Sequence, residues 1–189
     1  MASFFRKDHE GASASKAQPE KSSSSESSAK FDEFLSGGLG ELTAQEQANV
    51  QLVREYMLIA YDPRRASAAA VKHLCGDNNC FIAPSTFPGV HTLEQYAEDH
   101  AKIMKQVNDL HFVTFDVFFA KGDRVCLRYT AEGSHSGEPH GDIPATGRRA
   151  TWTACAVFRA SNGKLVEFIK DWNKLSMWTQ FGWPQTECI

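Results

Sequence analysis

Three ionisable side chains stand where acid/base chemistry could occur. His135 lies between Gly133 and Gly137 in a long segment rich in glycine and proline, and histidine titrates near neutral pH. Lys170 and Asp171 follow each other at the end of an apolar run. Successive side chains of a strand point to opposite faces, so a half-buried strand would turn only one of the pair inward. The alternatives are a solvated loop histidine and two ordinary surface charges.

The loop that carries His135 raises the question of a metal site. It also holds Glu138, His140 and Asp142. The two histidines lie on a loop and do not follow the helical His-Glu-x-x-His spacing, and no third ligand is evident. We therefore predict no metal ion at this loop, and we keep His140 as a weaker acid/base candidate.

Other side chains could line a pocket beside these groups. Tyr96 and His100 are one turn apart on a predicted helix, so they either face a ligand or are satisfied core residues. Arg128 lies within a strand pattern, where a guanidinium needs a carboxylate partner or solvent. For Arg128 a structural ion pair and a substrate contact both stay open. Trp152 shares one face of a later strand with other apolar residues.

Capping patterns and turn signals predict the elements that would hold these side chains. Two capping boxes predict helices beginning after Thr43 and after Thr92. Apolar, β-branched runs then predict four antiparallel strands, with Asn162-Gly163 as a hairpin turn. Upstream, we expect a turn at 76–79 and a short strand at 80–83. Helices followed by a strand meander predict an α+β fold.

Four pieces of sequence, in this order and at compatible spacing, resemble the SnoaL-like polyketide cyclase family. They are residues 131–138, 143–148, 158–164 and 175–182. The resemblance covers roughly residues 41–184. It implies an NTF2-like cone, with N-terminal helices packed on a strongly curved antiparallel sheet, and a homodimer formed through the outer faces of the sheets.

The resemblance also implies where a catalytic group would lie. In these cyclases an aspartate near the end of the last strand acts as general acid/base, and counting along the motifs puts that position at Lys170, next to Asp171. Either a bulge turns Asp171 inward, or Lys170 fills the pocket, or there is no catalysis. Our hypothesis is the first, with the bulge between Phe168 and Trp172 and with Lys170 pointing away or pairing across the rim.

On this hypothesis Asp171 is the catalytic carboxylate and His135 closes the site from the loop. Aromatic walls would raise the pKa of that carboxylate by desolvation. The expected substrate-binding residues are Tyr96, His100, Arg128, Trp152, Lys170 and Trp172. Alanines at 154 and 156 stand where these cyclases carry polar pocket residues, which predicts a roomier and more apolar pocket.

The function that follows is a small-molecule enzyme. It would carry out cyclisation, isomerisation or hydrolysis by acid/base chemistry on an apolar polyketide- or terpenoid-like substrate, with no cofactor and no metal. The rival hypothesis is a non-catalytic NTF2-like module that binds a ligand or mediates dimerisation. A titratable group deep in the pocket would favour the enzyme.

The composition and charge of the chain indicate its domain organisation, its partners and its compartment. The chain has 189 residues, a formal charge of −3 and 42% apolar residues, which suits one globular domain at 41–189. The charge gives no reason to expect nucleic acid or a membrane as partner, and the start of the chain lacks a secretory pattern, so we expect a cytoplasmic protein. The five cysteines are expected to be free thiols. Residues 1–40 are Ser-rich and expected to be a disordered tail.

Overall fold

Helices precede and flank a single five-stranded sheet. The computed structural model describes residues 23–36 and 41–188. Its helices are α1 (Ser23–Ser36), α2 (Ala44–Ala60), the single turn α3 (Ala68–Val71), α4 (Leu93–Gln106) and α5 (Lys174–Phe181), with short 3-10 turns at Lys72–Leu74 and Gln185–Cys188. Its strands are β1 (Cys75–Ile82), β2 (His111–Lys121), β3 (Arg124–Ser134), β4 (Arg149–Ser161) and β5 (Lys164–Trp172). The predicted α+β class is confirmed.

The sheet has the order β1-β5-β4-β3-β2. The four long strands pair antiparallel, as predicted, and β1 adds a parallel edge beside β5. The predicted turn at 76–79 is wrong, because these residues belong to β1. Five steps along β1, from Cys75 to Cys80, correspond to only two steps along β5, from Leu165 to Glu167. The residues between them therefore bulge out of the strand, and the chain does not reverse its direction.

Both predicted capping boxes are present. Thr43 and Glu46 exchange hydrogen bonds at the start of α2, and Thr92 and Gln95 do so at the start of α4. Glu46 also accepts a hydrogen bond of 2.8 Å from the amide of Gly122 in the β2–β3 turn. Charge-assisted hydrogen bonds of this kind tie α2 to the far end of the sheet.

The hairpin between β4 and β5 has the predicted turn. Asn162 and Gly163 have φ of 50° and 72°, the left-handed conformation that this dipeptide accepts readily. The loop from β3 to β4 packs closely on the end of α4, where a Cβ added at Gly137 would lie 2.0 Å from the carbonyl oxygen of Lys105. Only glycine fits at that approach.

The core lies between the helices and one face of the sheet. Inward side chains alternate along β3 and β4, among them Leu127 and Tyr129 on β3 and Trp152 and Phe158 on β4. The opposite face carries exposed or half-buried residues. The inner face and the helices therefore form the one place where an interior site can be built from both layers.

Part of the predicted disordered tail is helical in the structure. Ser23–Ser36 form α1, and Phe31 is fully buried against β2, with its ring centroid 4.2 Å from that of Phe115. Asp32 pairs with Arg54 of α2 at 2.6 Å. The apolar area buried by Phe31 offsets the entropy of ordering a polar segment. The rest of the predicted tail, residues 1–22 and 37–40, lies outside the described residues.

None of the described helices is long and apolar enough to cross a lipid bilayer.

Candidate functional site

The end of β5 turns Lys170 inward and Asp171 outward. Lys170 is 3% exposed, whereas Asp171 is exposed on the outer face of the sheet. The register from Phe168 to Trp172 runs without a break against β4, so the bulge we predicted there is absent. The irregularity in the pairing of β4 with β5 lies earlier. Ala160 pairs with Leu165 and Arg159 with Glu167, so Val166 is the extra residue. The prediction that Asp171 faces the pocket is therefore wrong.

The amine of Lys170 is held by phenols. It donates hydrogen bonds to the hydroxyl oxygens of Tyr61, at 2.9 Å, and Tyr96, at 2.7 Å. The Tyr61 hydroxyl lies 2.9 Å from that of Tyr96 and also bonds the Tyr129 hydroxyl. We call Tyr61, Tyr96 and Tyr129 the phenol cluster. It joins the end of α2, the middle of α4 and the inner face of β3 around the one amine.

The phenol cluster has no counter-charge to offer. No carboxylate in the described ranges forms an ion pair with Lys170, and burial lowers the pKa of its amine well below the usual value. Burial also raises the pKa of Tyr61, Tyr96 and Tyr129 well above 10.0. Both effects favour the uncharged forms of these groups.

Aromatic rings complete the surroundings of the amine. The Lys170 Nζ lies 4.8 Å from the ring centroid of Tyr96, 5.4 Å from those of Tyr61 and Phe87, and 5.5 Å from that of Trp172. Ring faces attract a cation at this range. The same rings that exclude water would therefore stabilise positive charge formed on the nitrogen during a reaction.

His100 lies beside the amine and is neutral. Its Nδ1 donates to the Ala60 carbonyl oxygen, at 2.8 Å, which leaves Nε2 as an acceptor. Its ring lies 4.1 Å from that of Tyr61. Burial, and secondarily the charge of Lys170 when protonated, lowers the pKa of His100 to about 3. His100 therefore offers a lone pair near neutral pH but no positive charge.

A narrow cavity opens beside these groups. Its lining residues are Phe87, His100, Ile103, Leu110, Trp152, Lys170, Trp172 and Met177. Its volume is about 10 Å³, close to the space of one water molecule. The predicted roominess is wrong, because Lys170 and Trp172 pair with Ala156 and Ala154 and occupy the space that those alanines leave.

A larger bowl of about 350 Å³ lies on the solvent side of the cavity. Three side chains line both spaces: Phe87, Ile103 and Trp172, which we call the wall. Asp99, Lys102 and Lys174 stand around the bowl and give it a polar edge. A ligand that reaches Lys170 from the bowl has to pass the wall.

His135 lies elsewhere and does not line the cavity. It is fully buried, and its Nδ1 accepts from the indole of Trp183 at 3.1 Å, while Nε2 donates to the Glu138 carbonyl at 3.2 Å. Desolvation lowers the pKa of His135. Since both ring nitrogens have fixed partners, His135 holds the β3–β4 loop against the C-terminal residues, and the prediction that it closes the site is wrong.

The other predicted residues divide between the two faces of the sheet. His100, Trp152, Lys170 and Trp172 line the cavity, and Tyr96 bonds the amine behind it. Arg128 is exposed on the outer face, where it pairs with Asp116. The prediction of a substrate contact for Arg128 is wrong, and the ion-pair alternative is confirmed.

Sequence reasoning missed Tyr61, Tyr129, Phe87 and Met177. A signal existed for two of them. Tyr61 follows Met57 by four positions at the end of α2, and Tyr129 alternates with Arg128 and so had to face inward once Arg128 faced out. Nothing local distinguishes Phe87 or Met177 from ordinary core residues.

Comparison with known proteins gives a family and a fold. The model of the SnoaL-like polyketide cyclase family matches residues 55–181. No curated protein matches this chain. A protein of Jannaschia sp. CCS1, described as a candidate SnoaL-like polyketide cyclase, has a similar structure, with a TM-score of 0.63 and 16% identity over 77% of this chain and 99% of that one.

Two further structures share the fold. TsrD of Streptomyces laurentii has a TM-score of 0.57 and 24% identity, over 75% of this chain and 98% of its own. An NTF2-like protein of Burkholderia xenovorans has a TM-score of 0.56 and 16% identity, over 74% and 99%. The predicted NTF2-like fold is thereby confirmed, while identities this low say nothing about the reaction.

Proposed function

Because this chain belongs to the SnoaL-like polyketide cyclase family, we propose that it is a small-molecule enzyme of the same general kind, acting by acid/base chemistry without a cofactor. The observation that carries the proposal is the buried amine of Lys170, which lines the cavity and whose hydrogen-bond partners within residues 23–36 and 41–188 are phenols. Burial lowers the pKa of this amine and so favours the neutral form, which is the form that can act as a base.

In the proposed reaction Lys170 removes a proton from the carbon next to a carbonyl group. The hydroxyls of Tyr96 and Tyr61 hold the amine from the side away from the cavity and so keep it oriented toward that carbon. The resulting ammonium lies within 5.5 Å of four rings, which offsets part of the loss of hydration. The enolate formed can cyclise or isomerise, and hydrolysis remains within reach of the same groups.

The substrate class follows from the lining. Apart from His100 and Lys170 the cavity is walled by apolar and aromatic side chains, which favours an apolar polyketide- or terpenoid-like compound with one carbonyl group. Only a slim part of such a compound fits beside the amine, since the cavity is about 10 Å³. The rest of the substrate would occupy the bowl beyond the wall.

The test is exchange of the acidic protons of cyclohexanone for deuterium, followed by proton NMR in heavy water. Lys170→Met should slow the protein-dependent exchange by about 10²-fold or more, because it removes the base. Asp171→Asn is the matched control, one residue away on the outer face, and should leave the rate unchanged. Equal rates for the wild type and Lys170→Met would overturn the proposal, and so would a loss confined to Asp171→Asn.

A second candidate is a non-catalytic ligand-binding module. Two observations favour it: the position that matches the family's aspartate holds Lys170, and the carboxylate of Asp171 lies outside. Mass spectrometry of the denatured protein would identify a ligand retained from its source. A retained apolar compound, together with no exchange activity in the wild type, would favour the module over the enzyme.

We also propose a homodimer formed through the outer face of the sheet. Val117 and Phe119 of β2 are 42% and 52% exposed there, and exposed apolar patches mark interfaces. Sedimentation equilibrium at micromolar concentration should give twice the chain mass of 21.0 kDa. Phe119→Asp should shift the equilibrium toward monomer, and a wild type that remains monomeric throughout would contradict this proposal.

A further inference from the structure

The position of Lys170 suits a second role for its nitrogen, as a nucleophile. A primary amine that is neutral near neutral pH adds to carbonyl groups, and burial in an apolar pocket is one way in which proteins activate lysine for this. We propose that Lys170 is a covalent capture site, whose amine condenses with an aldehyde or an unhindered ketone to form an imine. This inference rests on the proposed function, since it concerns the same cavity.

The geometry holds the nitrogen in a fixed position at the edge of the cavity. Hydrogen bonds of 2.9 Å and 2.7 Å to Tyr61 and Tyr96 hold Nζ from one side, while Lys170 also lines the cavity. A carbonyl carbon that enters the cavity therefore meets an amine whose rotamer is already set. Preorganisation of this kind lowers the entropic barrier to attack.

No ion pair competes for the nitrogen. Among the residues that the structure describes, the partners of the Lys170 amine are hydroxyls and rings, and burial alone depresses its pKa. A carboxylate at the same distance would keep the amine protonated and unreactive. A lysine buried for structural reasons alone would ordinarily be paired, which makes the unpaired arrangement informative.

The chemical step balances without an added reagent. The nitrogen lone pair forms a C–N bond to the carbonyl carbon, and the carbonyl oxygen takes up one N–H proton to give a carbinolamine. The C–O bond then breaks, and the oxygen leaves as water with the second N–H proton, so that the amine and the carbonyl compound become an imine and water. The Tyr96 hydroxyl, 2.7 Å from Nζ on the side away from the cavity, keeps the nitrogen oriented while the C–N bond forms.

Cavity size and lining define the compounds expected. With about 10 Å³ beside the amine, only the carbonyl end of a compound can lie next to Nζ, and the wall residues favour an apolar remainder that extends toward the bowl. Unbranched aldehydes fit this description better than branched ketones. The protonated imine would keep the ring contacts that the ammonium has, since it carries the same charge.

The experiment is reductive trapping with hexanal and sodium cyanoborohydride on the full chain near neutral pH. Peptide mass spectrometry then compares Lys170 with Lys121 and Lys164, both exposed in the same molecule. We expect the reduced adduct to form on Lys170 about 10-fold faster than on either surface lysine, because burial favours the uncharged, nucleophilic form of the Lys170 amine. No variant is needed for this comparison, so a folding defect cannot obscure it.

Two variants sharpen the assignment. Tyr96→Phe keeps the ring and removes the hydroxyl, and it should slow capture at Lys170 without changing labelling of Lys121. In Lys170→Met the fast adduct should disappear. Labelling of Lys170 no faster than that of Lys121 in the wild type would overturn the proposal.

The same samples separate this proposal from the proposed function. Proton exchange of cyclohexanone without any trapped adduct would leave the acid/base enzyme in place and overturn covalent capture. A trapped adduct without exchange would support capture and overturn the acid/base enzyme. The absence of both would overturn both and favour the binding module.

Discussion

Two buried ionisable groups, His135 and Lys170, stand in contrasting surroundings. His135 is fully buried and Lys170 is 3% exposed, so burial alone does not separate them. The Nδ1 of His135 accepts from the Trp183 indole and the Thr146 amide and lies 3.2 Å from the Thr146 hydroxyl, while Nε2 donates to the Glu138 carbonyl, and the ring borders no part of the cavity beside Lys170. In the described part of the chain the hydrogen-bond partners of the Lys170 amine are hydroxyls, which can donate or accept, and Lys170 borders a cavity.

The surroundings of a buried polar group decide whether it can react. A buried group whose polar atoms all have partners and that borders no cavity contributes to stability and cannot meet a ligand. A group held by hydroxyls beside an open space can exchange protons and still keep its hydrogen bonds. By this criterion the His135 region is structural and the Lys170 region is the reactive one.

The largest effect should come from removing the ring of His135. His135→Leu leaves the buried Trp183 indole without its partner and also removes the hydrogen bond to the Glu138 carbonyl, which should lower the free energy of unfolding by about 3 kcal/mol. Urea denaturation followed by tryptophan fluorescence measures it, with His91→Leu at an exposed histidine as control. Exchange of cyclohexanone per folded molecule should not change. If His135→Leu were as stable as the wild type but had lost the exchange activity, His135 would be the reactive group and not a structural one.

The next effect in size is a loss of folding stability as pH falls, and it comes from His100, which lies beside Lys170. The folded pKa of His100, about 3, lies below its ordinary 6.5, so the unfolded chain takes up the proton first as pH falls. Its contribution is complete above 6.5 and is lost as pH falls toward 3, with a slope of up to about 1.4 kcal/mol per pH unit.

The substitution His100→Asn checks this slope. Asparagine can keep a donor to the Ala60 carbonyl without titrating, so the decline in unfolding free energy between neutral and mildly acidic pH should become shallower. Burial also lowers the pKa of His135, so a residual slope should remain. His91→Asn is the control. An unchanged slope in His100→Asn would show that His100 is not held neutral by its surroundings.

The smallest predicted effect is a gain, and not a loss, in the free energy of unfolding. Lys170→Met should raise the free energy of unfolding near neutral pH by about 1 kcal/mol or more, because the wild type must keep a lysine deprotonated in its folded state. In the wild type this penalty fades as pH rises toward the ordinary lysine pKa of 10.5, so the advantage of the variant should shrink. Thermal melts across that range measure it, and a less stable Lys170→Met would contradict it.

Sequence patterns predicted the parts of the fold that depend on neighbouring residues. The capping boxes at Thr43 and Thr92 and the turn at Asn162-Gly163 need only local hydrogen bonds and backbone preferences. The family resemblance supplied the overall arrangement. By contrast, the helical state of Ser23–Ser36 depends on a distant contact, the packing of Phe31 on β2, and no local signal announces it.

The site was predicted only in part, because it depends on one residue of register. The bulge of β5 lies at Val166 and not beyond Phe168, so the inward position is Lys170. Sequence counting had placed Lys170 at the matching position, but the expectation of a carboxylate favoured Asp171. The hydrogen bond from Lys170 to Tyr61 joins residues 109 apart in the chain, and contacts of that span leave no periodicity to read.

The wall between the cavity and the bowl would affect the rates at which a compound reaches and leaves Lys170. Phe87, Ile103 and Trp172 stand on the route from the bowl to Lys170, so a compound enters only while these side chains move apart. Arrival would then be slower than diffusion and nearly insensitive to ionic strength, since the fluctuation sets the rate and not long-range attraction. Departure meets the same obstacle, which gives a bound compound a long residence even where its affinity is modest.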